Sequence, residues 1–216
     1  MLNYFKPIIS SVPPLRLRDP LAQTLGAFQS EDAILDYTFA ETVKMAGHAC
    51  PTVSGAWMVC RKALESLYPG EIPVRGEIEV TVLGDADEGV YGVMGQVFSF
   101  ITGAAPNSGF RGLGPKFRRK DLLRYSPKKI DPEALSFQFQ RLDNNRAVIV
   151  KYYPHRVPYS PEKGLRLGEL LEKVIWEAAL PEELAEFQQL WLEKVDTIIH
   201  KQTDIDHWLK IEERKD

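Results

Sequence analysis

The chain is poor in most of the features that announce a function. Two cysteines, Cys50 and Cys60, among 216 residues cannot build a disulfide framework, and inside one predicted helix they point in different directions. A reducing compartment is expected. Neither sign of charge dominates: 27 basic side chains stand against 30 acidic ones, for a net charge of −3 and a pI near 5.9. No overall field therefore draws the molecule to nucleic acid or anionic lipid, and neither is expected as a partner. No apolar run approaches the roughly 20 residues that cross a bilayer. The stretch from Met1 to Pro7 lacks the apolar core and cleavage site of a secretory signal, so a cytoplasmic location is expected. Repeats and low-complexity tracts are absent too. What remains, 44% apolar and 26% charged residues, describes a folded globular chain, either one large domain or one domain with an appendage.

Periodicity divides that chain. Pro7, Pro13, Pro14 and Pro20 among Ile8, Ile9, Leu15 and Leu17 predict an extended arm over residues 1–29, suited to lying on a surface such as a dimer contact. Ser30 reads as an N-cap for a helix running to Ala46, stopped by Gly47. Val53, Ala56, Trp57, Cys60, Leu64 and Leu67 recur on one helical face up to about Tyr68, and Pro69-Gly70 ends that helix. Alternation from Ile72 to Val82 predicts a strand. Val90, Val93, Met94, Val97, Phe98 and Ile101 then trace a helix for which Asp87 is a candidate cap, while Gly92, Gly95 and Ser99 form a smooth second face open to close approach. Phe137 to Tyr152 reads as a hairpin turning at Asp143-Asn144-Asn145. Stripes beginning at Leu167 and Leu184 predict two antiparallel helices, with a short one from Asp204. The fold class is α+β.

One constellation concentrates reactive groups. In Gly47-His48-Ala49-Cys50-Pro51 the two best soft-metal ligands of the chain flank one residue, at the mouth of a helix whose first position is proline. Unpaired N–H groups and the positive end of the helix dipole favour a thiolate there. Cys50 either ligates metal or attacks an electrophile; His48 serves as neutral ligand in the first case and as acid or base in the second. A buried cysteine also packs as a small apolar residue, the reading adopted for Cys60.

The second candidate is the stretch 103–119 with its basic flank. Four glycines and two prolines exclude a long regular element. Arg111, Gly112, Gly114 and Lys116 combine backbone that approaches an oxyanion closely with nearby positive charge, so a small anionic ligand is expected there. Arg118, Arg119, Lys120 and Arg124 extend the run, with Asp121 as the only local opposing charge.

The order of these features resembles the FmdE family, named for the E component of formylmethanofuran dehydrogenase. The resemblance is carried by the Gly-His-x-Cys-Pro motif at 47–51, Gly55, the strand to Val82, the acidic turn at 85–88, the helix to Ile101, Thr102-Gly103 and the glycine-rich loop. It spans roughly residues 30–152. It implies an α+β domain with the topology of the glyceraldehyde-3-phosphate dehydrogenase catalytic domain, here placed at 30–160 with a helical extension at 161–216. It also implies frequent dimerisation, hence a homodimer, and a metal site, with zinc or another divalent transition metal, on the motif's His48 and Cys50. The family's second cysteine has no counterpart in Gly84-Asp85-Ala86-Asp87-Glu88. A zinc site with an open position takes three protein ligands, so Asp87, or else Asp85 or His155, stands as the third. The expected function is metal binding, as an FmdE-like protein whose basic loop takes an anion. The alternatives are a metal-free enzyme using Cys50 as nucleophile and His48 as acid or base, and a non-catalytic interaction protein docking through its helical tail.

Overall fold

The computed structural model describes residues 5–28, 32–202 and 204–214. In chain order its elements are α1 (Pro7–Ser10), β1 (Leu15–Arg18), α2 (Pro20–Thr24), β2 (Ile34–Tyr37), α3 (Phe39–Ala46), α4 (Pro51–Leu67), β3 (Ile78–Val82), α5 (Tyr91–Thr102), β4 (Gly112–Leu113), β5 (Phe117–Arg118), β6 (Leu123–Tyr125), β7 (Leu135–Arg141), β8 (Ala147–Tyr152), α6 (Pro161–Ile175), α7 (Pro181–Ile199), α8 (Ile205–Trp208) and β9 (Leu209–Glu213). The protein is α+β. Its main sheet has the order β6-β3-β7-β8-β9, with β6 parallel to β3 and the other neighbours antiparallel.

Register explains the layers. Val80 faces Phe139, which faces Val148; Val82 faces Phe137, which faces Val150. All six are fully buried on the side covered by α4 and α5. Phe98 of α5 meets Phe137 and Phe139 edge-on at 4.9 and 5.2 Å between ring centroids, a favoured quadrupolar arrangement. Thr81, Gln138 and Ile149 occupy the alternate positions and stay half-buried on the other face. The hairpin and the helices from Pro51 and through Val93–Ile101 thus appear where alternation and three-four spacing placed them, whereas the strand expected over 72–82 is confined to Ile78–Val82. Burial on α4 exceeds its stripe, however: every residue from Val53 to Cys60 is buried, because α7 also packs on this helix.

Three expectations need correction. The helix expected from Ser30 is instead strand β2 followed by α3, since Ile34–Tyr37 pairs antiparallel with β1. Ser30 and Glu31 lie outside the described residues. Thr38 is the working cap of α3: its Oγ1 accepts the Glu41 N–H at 3.1 Å and Glu41 accepts the Thr38 N–H at 2.9 Å. The N-terminal segment is no extended arm, because it forms α1, β1 and α2 and buries Ile9, Val12, Leu15 and Leu17 in the main core. The C-terminal extension is helical only up to Trp208, after which β9 pairs with β8 and completes the sheet. No helix among the described residues is long and apolar enough to cross a membrane.

One buried ionic cluster ties the N-terminal segment to this frame. Asp19 caps α2, accepting the Leu21 and Ala22 N–H groups, and also receives Arg119 at 2.9 Å and Arg75 at 3.0 Å. Arg75 donates onward to the Ile101 and Phe100 carbonyls at the C-terminal end of α5, where positive charge complements the helix dipole. The Arg119 guanidinium occupies the space that a Cβ would take at Gly76 and at Gly103, both with positive φ. Burial by itself raises the Asp19 pKa, but the Ala22 N–H, Arg119 and Arg75 outweigh it and hold the carboxyl below its ordinary value. Removing one partner of a buried charge cluster costs about 3–5 kcal/mol. Asp19→Asn should lose an amount of that order in denaturant titration at neutral pH. Because the folded-state pKa is depressed, the carboxylate's contribution is complete above the unfolded value and is lost as pH falls through the folded one. The stability gap between wild type and Asp19→Asn should therefore narrow on acidification below the usual aspartate range.

Candidate functional site

The joint between α3 and α4 is built by two helix ends. Gly47, at φ 78°, adopts the left-handed cap conformation that stops α3. The chain then turns through His48 and Ala49 into Cys50, the N-cap of α4, with Pro51 at the first helical position as expected. Cys50 is extended and its Sγ accepts the Val53 N–H at 3.4 Å. Sulfur thus takes the place usually filled by a serine or aspartate oxygen, facing the orphan donors of the helix mouth. His48 is exposed, and its Nδ1 lies 3.0 Å from the Ala46 carbonyl. A ring donating Nδ1–H to a carbonyl keeps its Nε2 lone pair free for a metal or a proton.

Accessibility separates the pair. Cys50 is 7% exposed and belongs to the main core, whereas His48 faces solvent. Cys60 is wholly enclosed, and burial pushes its thiol far above the ordinary value, in keeping with the packing role read for it.

Two residues that periodicity marks only as packing positions complete the surroundings of Cys50. Tyr152, at the end of β8, brings its phenol over the first turn of α4. A Cβ at Gly55 would stand 2.5 Å from its Cε1, so only glycine leaves room for the ring. Burial first, and then the neighbouring Cys50, raise the Tyr152 hydroxyl pKa well above its usual value. From α7, Trp191 donates its Nε1–H to the Ala49 carbonyl at 2.8 Å and roofs the joint. A glycine one turn inside a helix was the available signal for Tyr152. No local pattern links Trp191 to a carbonyl so distant in sequence.

Other expected site residues are placed differently. Asp87 is exposed in the turn before α5 and does not cap it; that position is Val90, since Gly89 at φ 55° inserts a turn between them. Among the described residues no three of His, Cys, Asp and Glu gather as a metal-holding group, so His48, Cys50 and Asp87 do not form the expected ligand trio. His155 is exposed and edge-on to Tyr153, in place of a return to the joint. Outside the expected site, the His200 Nε2 lies 2.9 Å from the Ile8 carbonyl.

Arg111, Gly112, Gly114 and Lys116 do come together in the small β4–β5 ribbon. The ribbon's amides partly face inward, the Arg119 N–H reaching the Arg111 carbonyl at 3.1 Å, and Lys116 lies over the Phe117 ring at 5.2 Å. Asp121 is not the run's only opposing charge: Asp19 binds Arg119 and Glu79 binds Arg124, both brought in by the fold. Beside the ribbon runs a groove formed by two contiguous cavities of about 560 and 820 Å³ that share Ala86, Pro106, Leu123 and Tyr125. Its wall is the smooth face of α5, where the Ala86 carbonyl closes on Gly92 and the Tyr125 hydroxyl on Gly95. Met45, three residues before His48, lies at one end, and Arg118 and Arg124 at the other.

Compared with known proteins, the chain matches no family model and no curated protein.

The geometry separates the two thiols. Iodoacetamide should modify Cys50 of the native protein while Cys60 reacts only on unfolding, as read by peptide mass spectrometry. Trp191→Phe, which deletes a hydrogen bond worth about 1 kcal/mol, should raise the Cys50 rate and leave Cys60 unreactive.

Proposed function

We propose that this chain is an FmdE-like domain whose His48-x-Cys50 joint binds a divalent transition metal such as zinc in an exchangeable manner. The family's glyceraldehyde-3-phosphate dehydrogenase-like topology and a homodimer belong to the same proposal. The observation that carries it is the pairing of a ring whose Nδ1 is engaged by the Ala46 carbonyl with a thiol two residues on, at a helix N-terminus. One neutral imidazole nitrogen and one sulfur suit a borderline-soft cation. The described residues do not fit a resident zinc, which takes three or four protein donors, because the joint supplies two. A bound small molecule or a donor from another chain would complete the sphere, so the role is transient binding or delivery. An anionic ligand would lie in the groove between Met45 and the Arg118–Arg124 end, close to the basic ribbon of Arg111, Gly112, Gly114 and Lys116.

A second reading rests on the Val53 N–H and the Tyr152 phenol beside Cys50, which suit a metal-free thiol nucleophile assisted by His48. Zinc protection of the thiol distinguishes the two. Under the metal reading, zinc in the micromolar range slows Cys50 alkylation at least about tenfold in wild type, a free-energy difference of about 1.4 kcal/mol, and His48→Ala abolishes the protection. Under the nucleophile reading, zinc protects neither protein and His48→Ala by itself slows alkylation. Unprotected Cys50, with a rate unmoved by His48→Ala, overturns both.

A further inference from the structure

The main sheet has two outer edges, and they differ. β9, at one edge, carries Lys210, Glu212 and Glu213, charges of the kind that discourage a further strand. β6, at the other, consists of Leu123, Arg124 and Tyr125, and all three line the groove beside α5.

Alternation decides which main-chain groups of β6 are used. The Leu122 carbonyl accepts the Val80 N–H at 2.7 Å and the Ser126 N–H donates to the Val82 carbonyl at 2.9 Å, so both groups of Arg124, midway between, face β3. Those of Leu123 and Tyr125 face outward. The Leu123 N–H donates to the Ala105 carbonyl at 3.1 Å, where the chain itself begins to run along β6. It leaves at Pro106, in a turn closed by the Gly109 N–H on the Pro106 carbonyl at 3.0 Å. Beyond that point the Leu123 carbonyl and the Tyr125 N–H and carbonyl have no hydrogen-bond partner among the described residues.

A helix stands beside this unpaired edge. Gly92, Gln96 and Ser99 share one face of α5 and form the opposite wall, with Met45 and Phe100 supplying apolar surface. The two contiguous cavities, of about 560 and 820 Å³, are of the size that takes a ligand. Charge does not dominate recognition there, because Arg118 is paired with Asp121 and Arg124 with Glu79. A strand edge with free N–H and C=O groups, facing a helix across a partly apolar groove, is complementary to an extended peptide main chain.

We propose that β6 accepts a short extended peptide segment of a partner protein as a sixth strand of the main sheet, lying between β6 and α5. The segment's main chain bonds the Leu123 carbonyl and the Tyr125 N–H. Its side chains alternate between the α5 side, at Met45 and Phe100, and the opposite face of the sheet. The inference shares the groove with the functional proposal but needs neither the metal nor the anion.

The test uses the full chain and a phage-displayed library of random heptapeptides. Selection should yield peptides with apolar residues at alternate positions that, synthesised with capped ends, bind with micromolar Kd. Gln96→Trp, which fills the groove from an exposed position of α5, should weaken binding at least about tenfold. Tyr125→Pro should do the same, since it deletes the outward N–H at an edge position where proline is tolerated. Circular dichroism shows whether that variant folds, and Gln96→Trp decides if it does not. N-methylation along the peptide gives a reading that apolar contact alone would not: substitutions at alternate residues should weaken binding at least about tenfold, and those between them should have little effect. High salt should leave the affinity within about twofold. Selection of no peptide, an affinity indifferent to Gln96→Trp, loss of binding in salt, or an N-methyl scan without alternation would each overturn the proposal. So would self-association that Gln96→Trp abolishes in a chain that selects no peptide, which would assign the groove to a second copy. Zinc protection of Cys50 is read separately, so either proposal can fail without the other.

Discussion

A helix that starts inside a protein must satisfy its first N–H groups without bulk water, and the beginning of α4 is governed by that requirement. Pro51 has no N–H to satisfy, the Val53 N–H finds the Cys50 sulfur, and the Ser54 N–H and hydroxyl both reach the Cys50 carbonyl. The enclosing groups follow from the same start. Gly55 admits the Tyr152 ring, and Trp191 spends its polar edge on the Ala49 carbonyl while its ring covers the turn. The residues that make the joint chemically interesting are therefore also those that allow α4 to be buried. A substitution at Cys50 acts on a capping bond and on a reactive group together.

The Asp19 cluster plays the matching role for the N-terminal segment. A single carboxylate receives two guanidiniums and two backbone donors, and through Arg75 and Arg119 it fixes the end of α5 and the exit of the glycine-rich loop. Arg119 Nη1 is left without a partner among the described residues, so the network is not fully satisfied, and its stability depends on the attraction within it outweighing desolvation. The cluster divides the basic run: Arg119 becomes a structural cation, while Arg118 and Arg124 remain at the surface and border the groove.

Much of this was legible in local pattern. The strand ending at Val82 and the β7–β8 hairpin follow from alternation, and α4, α6 and α7 from three-four spacing, because each buries one face and the periodicity of burial is written directly in the residues. The smooth face of α5 was readable from Gly92, Gly95 and Ser99, although what fills it, the Ala86 carbonyl and Tyr125, was not. Residues 32–37 misled because a few alternating residues before a capped helix merge with it when the strand partner, β1, is remote. The candidate site was legible at Cys50 and His48; Tyr152 left only the trace of Gly55, and nothing in the local pattern tied Trp191 to it.

By itself the sequence determined most of the elements, the α+β class and the placing of a histidine and a cysteine at a helix mouth, since these depend on dihedral preference, periodicity and capping within a few residues. Only the tertiary structure decided that Cys50 is enclosed while His48 faces water, that Asp87 forms no ligand trio with them, and that Asp19 pairs with Arg119 of a basic loop distant from it in the chain. Those outcomes depend on which remote side chains share a small volume. Burial and charge pairing are properties of that shared volume, and local chain pattern does not carry them.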